Sequence, residues 1–105
     1  MLNSVILIGR LTKDPDLRHT TNDKAVATFT LAVDRPFNKD ETDFIPCVVW
    51  QKQAENCANY LSKGSQVAVE GRIQVRTYDD KDGQKRWVTE VVANNVRFLD
   101  SKNKE

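Results

Sequence analysis

Between Gln66 and Tyr78 the chain alternates almost without interruption. Val67, Val69, Gly71, Ile73 and Val75 take one side of an extended strand, and Glu70, Arg72, Gln74, Arg76 and Tyr78 take the other. A helix would scatter these residues around its circumference, so the pattern demands a strand with one apolar and one charged face. The next residues, D-D-K-D-G, are turn chemistry, and Arg86 to Leu99 returns as a second strand. A long antiparallel hairpin with a charged, Gly83-containing tip is therefore expected.

The rest of the chain supplies partners for it. Leu2 to Leu11 sets Val5 and Leu7 against Ile6 and Ile8, so both faces are apolar. A small domain has few ways to cover both, and a second subunit on one of them is the natural solution. Asp14 and Pro15 supply a turn, and Thr20 to Lys24 a polar loop. From Ala25 to Asp34, Phe29, Leu31 and Val33 face one way and Thr28, Thr30 and Ala32 the other. Arg35 to Thr42 reads as a polar loop interrupted by Phe37, and Asp43 to Trp50 as a further strand. Ala54, Cys57, Ala58 and Leu61 recur at helical spacing, predicting a helix from about Lys52 to Ser62 with Gly64 as its left-handed cap. Four or five strands with one short helix between the third and fourth are what a five-stranded Greek-key barrel of the OB type requires, an all-β fold.

At 105 residues the chain holds one domain, expected over residues 1–99, with 100–105 as a short charged tail. No apolar run approaches the length of a membrane span, and the N-terminus lacks the basic stretch and cleavage pattern of a signal peptide, so a cytoplasmic protein is expected. Cys47 and Cys57 read as reduced core thiols. The net charge of +1 is too small to argue for a polyanionic partner, so only the distribution of charge is informative.

Catalysis finds no support. His19, the single histidine, lies in an R-H-T-T loop without a neighbouring carboxylate, and no phosphate loop, dinucleotide fingerprint or zinc spacing occurs. Asp79, Asp80 and Asp82 suggest a calcium loop, but the first ligand position would be Tyr78 and the closing one Thr89. No metal, cofactor or catalytic residue is expected.

The aromatic residues are more telling. Phe29, Tyr60 and Phe98 sit in apolar contexts. Phe37, Phe44, Trp50, Tyr78 and Trp87 sit in polar ones or out of phase. In D-F-I-P-C-V-V-W, Ile45, Cys47 and Val49 take one face and Phe44, Pro46, Val48 and Trp50 the other, so a core on the aliphatic side leaves two rings on the surface. Unpaired nucleobases fit such rings, because every base has a π-face. Cations interleave with the rings as phosphates would require: Arg72 and Arg76 share a strand face with Tyr78, Arg35 lies two residues from Phe37, and Lys52 two from Trp50. A protein contact is the rival reading of the same rings, and an RNA-binding domain a third.

Five motifs carry a resemblance: V-I-L-I-G-R-L-T-K-D-P-D-L-R, A-V-A-T-F-T-L-A-V-D-R, D-F-I-P-C-V-V-W, Y-L-S-K-G-S-Q-V-A-V-E-G-R-I and T-E-V-V-A-N-N-V. Through them the chain closely resembles the bacterial single-stranded DNA-binding protein family over nearly all of residues 1–99. The resemblance implies an OB-fold homotetramer that wraps single-stranded DNA in replication, recombination, repair or DNA uptake, associated with the nucleoid, without catalysis or cofactor. It matches Phe37, Phe44, Trp50 and Tyr78 to base-stacking rings, Trp87 to a further ring on the returning strand, and Lys52, Lys63, Arg72 and Arg76 to phosphate contacts. Two positions depart from the family. Pro46 stands where a polar residue is usual and implies a strand edge or bulge between Phe44 and Trp50. The family's main replication members also end in an acidic, phenylalanine-tipped tail that recruits partners; this chain ends S-K-N-K-E, so docking through such a tip is not expected. The alternative within the same fold is a protein-contact accessory of replication restart or recombination.

Overall fold

Hydrophobic alternation becomes a single closed sheet in the computed structural model, which describes residues 1–100, the side chain of Lys39 excepted. The elements are β1 (Val5–Leu11), β2 (Asp16–His19), β3 (Ala25–Arg35), β4 (Asn38–Trp50), α1 (Gln51–Tyr60), β5 (Gln66–Asp79) and β6 (Lys85–Phe98). The strands lie in the order β1-β5-β6-β4-β3-β2, and β1 also pairs with β3 to close the sheet on itself. Both β1 and β2 run antiparallel along β3, β1 against Leu31 and Ala32 and β2 against Ala25 to Thr28. They are one long strand interrupted around Pro15, which makes this a five-stranded OB barrel with α1 between its third and fourth strands. A short parallel ladder, Cys47 and Val48 on β4 beside Val91 and Val92 on β6, completes the barrel. Among the described residues no helix is long and apolar enough to cross a membrane.

The core follows the inward phase of each strand. Ala25, Ala27, Phe29 and Leu31 on β3, Cys47 and Val49 on β4, Val67 and Val69 on β5 and Val91 and Ala93 on β6 meet Ala54 and Cys57 of α1 and Leu61 just beyond it. Each large aliphatic among them contributes roughly 1.5–3 kcal/mol by burial. Both thiols are free and buried, and loss of hydration pushes Cys47 up to about 12 and Cys57 to about 11, so neither is a ready nucleophile.

Two glycines make the closure possible. At Gly9, where β1 passes from β5 to β3, a Cβ would strike the carbonyl of Ala32. At Gly71, next to a bulge that leaves Asn94 unpaired on β6, it would strike the carbonyl of Val92. The side chain of Gln53 on α1 bridges the bulge, donating to the Asn94 carbonyl at 2.6 Å and accepting from the Val96 N–H at 3.0 Å.

Several expectations are corrected. The segment from Arg35 to Thr42 is not a plain loop: β3 and β4 pair down to Arg35 opposite Asn38 around a turn at Pro36 and Phe37, and a register shift between Asp34 and Arg35 bulges residues 39–41 out of the ladder. Gly64 does have a left-handed φ of 90°, but α1 already ends at Tyr60. Gly64 serves the turn closed by the Ser65 N–H on the Ser62 carbonyl. Past Gly71, Ile73 and Val75 leave the core and are exposed, because the hairpin projects beyond the barrel. Tyr60 and Phe98 are exposed despite their apolar contexts and pair with ring centroids 6.4 Å apart. Asp100, counted with the tail, accepts the Gln66 N–H at 2.9 Å; residues 101–105 lie outside the described residues.

Candidate nucleic-acid interface

On β4 the continuous antiparallel register with β3 places Phe44, Pro46, Val48 and Trp50 opposite Ala32, Thr30, Thr28 and Val26. These even-numbered residues share the outer face. No register shift occurs at Pro46, so the expected bulge is absent. The expected edge is present: β4 pairs with β6 only through Cys47 and Val48, so at Pro46 the strand is paired on the β3 side alone. Phe44 and Trp50 thus stand on one side of one strand, roughly 20 Å apart. Between them lies a groove of about 390 Å³ lined by Thr28, Thr30, Pro46 and Val48, with Arg76, Val88 and Glu90 of the long hairpin as one wall.

All five predicted rings are exposed, from Trp50 at 42% to Phe37 at 100%. They do not form one surface. Tyr78 pairs with Arg86 and shares the outer hairpin face with Arg72 and Arg76. Trp87 pairs with Thr77 and so lies on the reverse face, with Val75. Phe37 occupies the two-residue turn between β3 and β4.

The cations divide as well. Arg35 is held by carboxylates, with Asp43 within 3.0 Å and Glu41 at 2.8 Å. The Arg35 hydrogen bonds draw the Asp43 carboxyl below its usual range. Arg35 therefore braces the stem of the Phe37 turn, and its charge is already matched. Arg76 donates from Nε to Glu90 at 3.0 Å. Lys52, Lys63 and Arg72 are exposed, and among the described residues none of them is in an ion pair. At the hairpin tip the Asp80 carboxylate accepts the N–H groups of Asp82 and Gln84 and pairs with Arg86 at 2.8 Å. The acidic tip is thus a satisfied turn. Among the described residues no group of three or more His, Cys, Asp or Glu side chains is placed to hold a metal ion.

Residues 2–99 match the Single-strand binding protein family. The chain belongs to that family. It is 60% identical over 98% of its length to the single-stranded DNA-binding protein of Bacillus cereus, of which it covers 63%. It is 58% identical to single-stranded DNA-binding protein A of Bacillus subtilis, covering 98% of this chain and 62% of that protein. Against the single-stranded DNA-binding protein of Halalkalibacterium halodurans the identity is 58%, over the whole chain and 65% of the relative. The chain spans less than two thirds of each of these relatives. This family member carries a proline in the middle of its outer β4 face with no register shift at that position.

Glu90, buried and lining the groove, is a residue that the geometry adds to the candidate interface and that was not among the expected site residues. The signal was available as a lone charge inside W-V-T-E-V-V-A. The backbone beside Trp50 is strained, with Gln51 at φ of 63°. A non-glycine residue there costs about 1–2 kcal/mol. Gln51→Gly is expected to raise stability by roughly 0.5–1 kcal/mol after the entropy of glycine is set against that strain, measured by urea unfolding at fixed protein concentration.

Proposed function

We propose that this chain binds single-stranded DNA without catalysis, laying bases along the outer face of β4 and the hairpin. Phe44 and Trp50 stack bases at the two ends of the groove, with Tyr78 and Phe37 extending the path and Trp87 serving strand that passes behind the hairpin. Lys52, Lys63 and Arg72 neutralise phosphates; Arg76 contributes from the groove rim. The observation that carries this reading is two exposed rings on one strand face flanking a groove. Titrating tryptophan fluorescence with oligo-dT at several salt concentrations tests it, and quenching that weakens as salt rises is the expected result. Absence of quenching and of salt-sensitive binding would sink it. Competition between matched DNA and RNA strands then ranks the two nucleic acids. The processes served are replication, recombination, repair or DNA uptake, in the cytoplasm at the nucleoid.

The working unit is a homotetramer in this proposal. Ile6 and Ile8 are exposed on β1, while Val5 and Leu7 on its other face pack against the core. β1 meets β3 only through Arg10 and Leu11, so the edge from Val5 to Ile8 is open to a second copy. Ile8→Lys is expected to lower the mass seen by sedimentation while leaving the barrel's circular dichroism unchanged. A tetramer of undiminished stability would refute this role for β1.

One observation favours a protein contact at a single place. Phe37 is surrounded in sequence by Asp34, Asp40, Glu41 and Asp43, and Arg35 is consumed by two of them. If the accessory reading governs the whole face, Phe37→Ala, Phe44→Ala and Trp50→Ala will disrupt protein assembly and leave DNA affinity intact.

A further inference from the structure

Glu90 is 3% exposed, yet it lines the groove between the β4 rings. Its Oε2 accepts from Gln74 Nε2 and Arg76 Nε, each at 3.0 Å. The other charged residues lining the groove are Lys13, Asp14, Asp16 and Arg76, so three carboxylates face two cations. Asp14 accepts the Lys63 N–H at 2.8 Å, and Asp16 pairs with Arg18 at 3.1 Å, outside the groove lining. With Asp16 matched by Arg18, the groove carries no excess of positive charge and is a poor seat for a phosphate chain, whereas neutral bases enter it without electrostatic cost. Repulsion is strongest at Glu90, because a buried charge is screened less than an exposed one.

We propose that Glu90 sets the polarity of binding: it admits bases to the groove and keeps phosphates at the rim, where Arg76, oriented by the same carboxylate, meets them. This deepens the single-stranded DNA reading and rests on it. Glu90 is a selectivity residue in this scheme, acting through charge on the strand and through a hydrogen bond on Arg76.

The test compares end-labelled oligo-dT with an abasic strand of equal length, which keeps the phosphates and lacks the bases, by fluorescence anisotropy across a salt series. The wild-type chain is expected to prefer oligo-dT. Glu90→Gln has the same shape and still accepts from Gln74 and Arg76. It is expected to gain roughly five- to tenfold affinity for the abasic strand, narrowing the preference, as one repulsive charge is removed. Its salt slope on that strand should steepen by about 0.7, the contribution of one additional phosphate contact. Glu90→Asp keeps the charge and should keep the preference. Arg76→Met, on the exposed side of the pair, works in the opposite sense and should widen it, which preserves the test should Glu90→Gln fold poorly. An unchanged preference in the folded variants overturns the role of Glu90 and leaves base stacking standing. A wild-type chain that binds both strands equally overturns the stacking reading itself.

Discussion

Gly71→Ala is expected to lower the melting temperature by about 15–30 °C, corresponding to roughly 3–5 kcal/mol in a domain of this size. The added methyl would overlap the carbonyl of Val92 and the Cα of Ala93. Those are backbone atoms of the paired strand, so no rotamer change relieves the clash, and overpacking of this kind is destabilising. The register shift beside Gly71 sharpens the constraint, because moving β6 away would break the Gln53 bridge to Asn94 and Val96. Gly64→Ala is the control. Gly64 has φ of 90° and open space where its Cβ would stand, so only the conformational cost of about 1–2 kcal/mol applies. Differential scanning calorimetry at one protein concentration separates the two; equal shifts would refute the steric account.

The second large effect concerns binding. Trp50→Ala is expected to weaken oligo-dT binding by roughly 5- to 150-fold, the equivalent of about 1–3 kcal/mol for one stacked base. Phe44→Ala should fall in the lower half of that range, since its ring is smaller. With the two rings roughly 20 Å apart and sharing no neighbour, their losses should nearly add in the double variant. Neither substitution removes a cation, so the dependence of affinity on salt should keep its slope, whereas Lys52→Ala should reduce the slope by about 0.7. Both variants should retain the wild-type oligomer, because the rings lie on β4 and the open edge lies on β1. Dissociation without loss of DNA affinity would move these rings to the protein-contact reading. Anisotropy of a labelled strand supplies the affinity and sedimentation the mass.

What the sequence made legible was whatever depends on period alone. Ile45, Cys47 and Val49 were assigned inward and Phe44 and Trp50 outward, and the barrel places them so, with Cys47 and Val49 fully buried and both rings exposed. What it concealed depends on pairing. That Trp87 stands behind the hairpin from Tyr78 follows from the partnership of Tyr78 with Arg86, which the five-residue tip sets and composition does not reveal. Arg35 looked like a free cation because Glu41 and Asp43 are distant along the chain; the two-residue turn at Pro36 and Phe37 folds them back onto it. β2 escaped notice because Asp16 to His19 are all exposed and carry no apolar alternation. Val48 is buried although it shares a face with exposed rings, because Val92 of β6 crosses beside it.

The projection of β5 and β6 past the barrel divides two strands into stretches that answer to different demands. Up to Gly71 and back from Val91, nearly every inward side chain is sealed, and a change of one methyl is felt. Beyond that point most side chains face water on either surface, so most replacements there should shift stability by no more than about 0.5 kcal/mol. The outer half of the hairpin can therefore vary its rings and charges almost independently of the fold that carries it. Relatives with different strand preferences or partners would be expected to differ there first, and the barrel would tolerate the exchange of that whole segment as a unit.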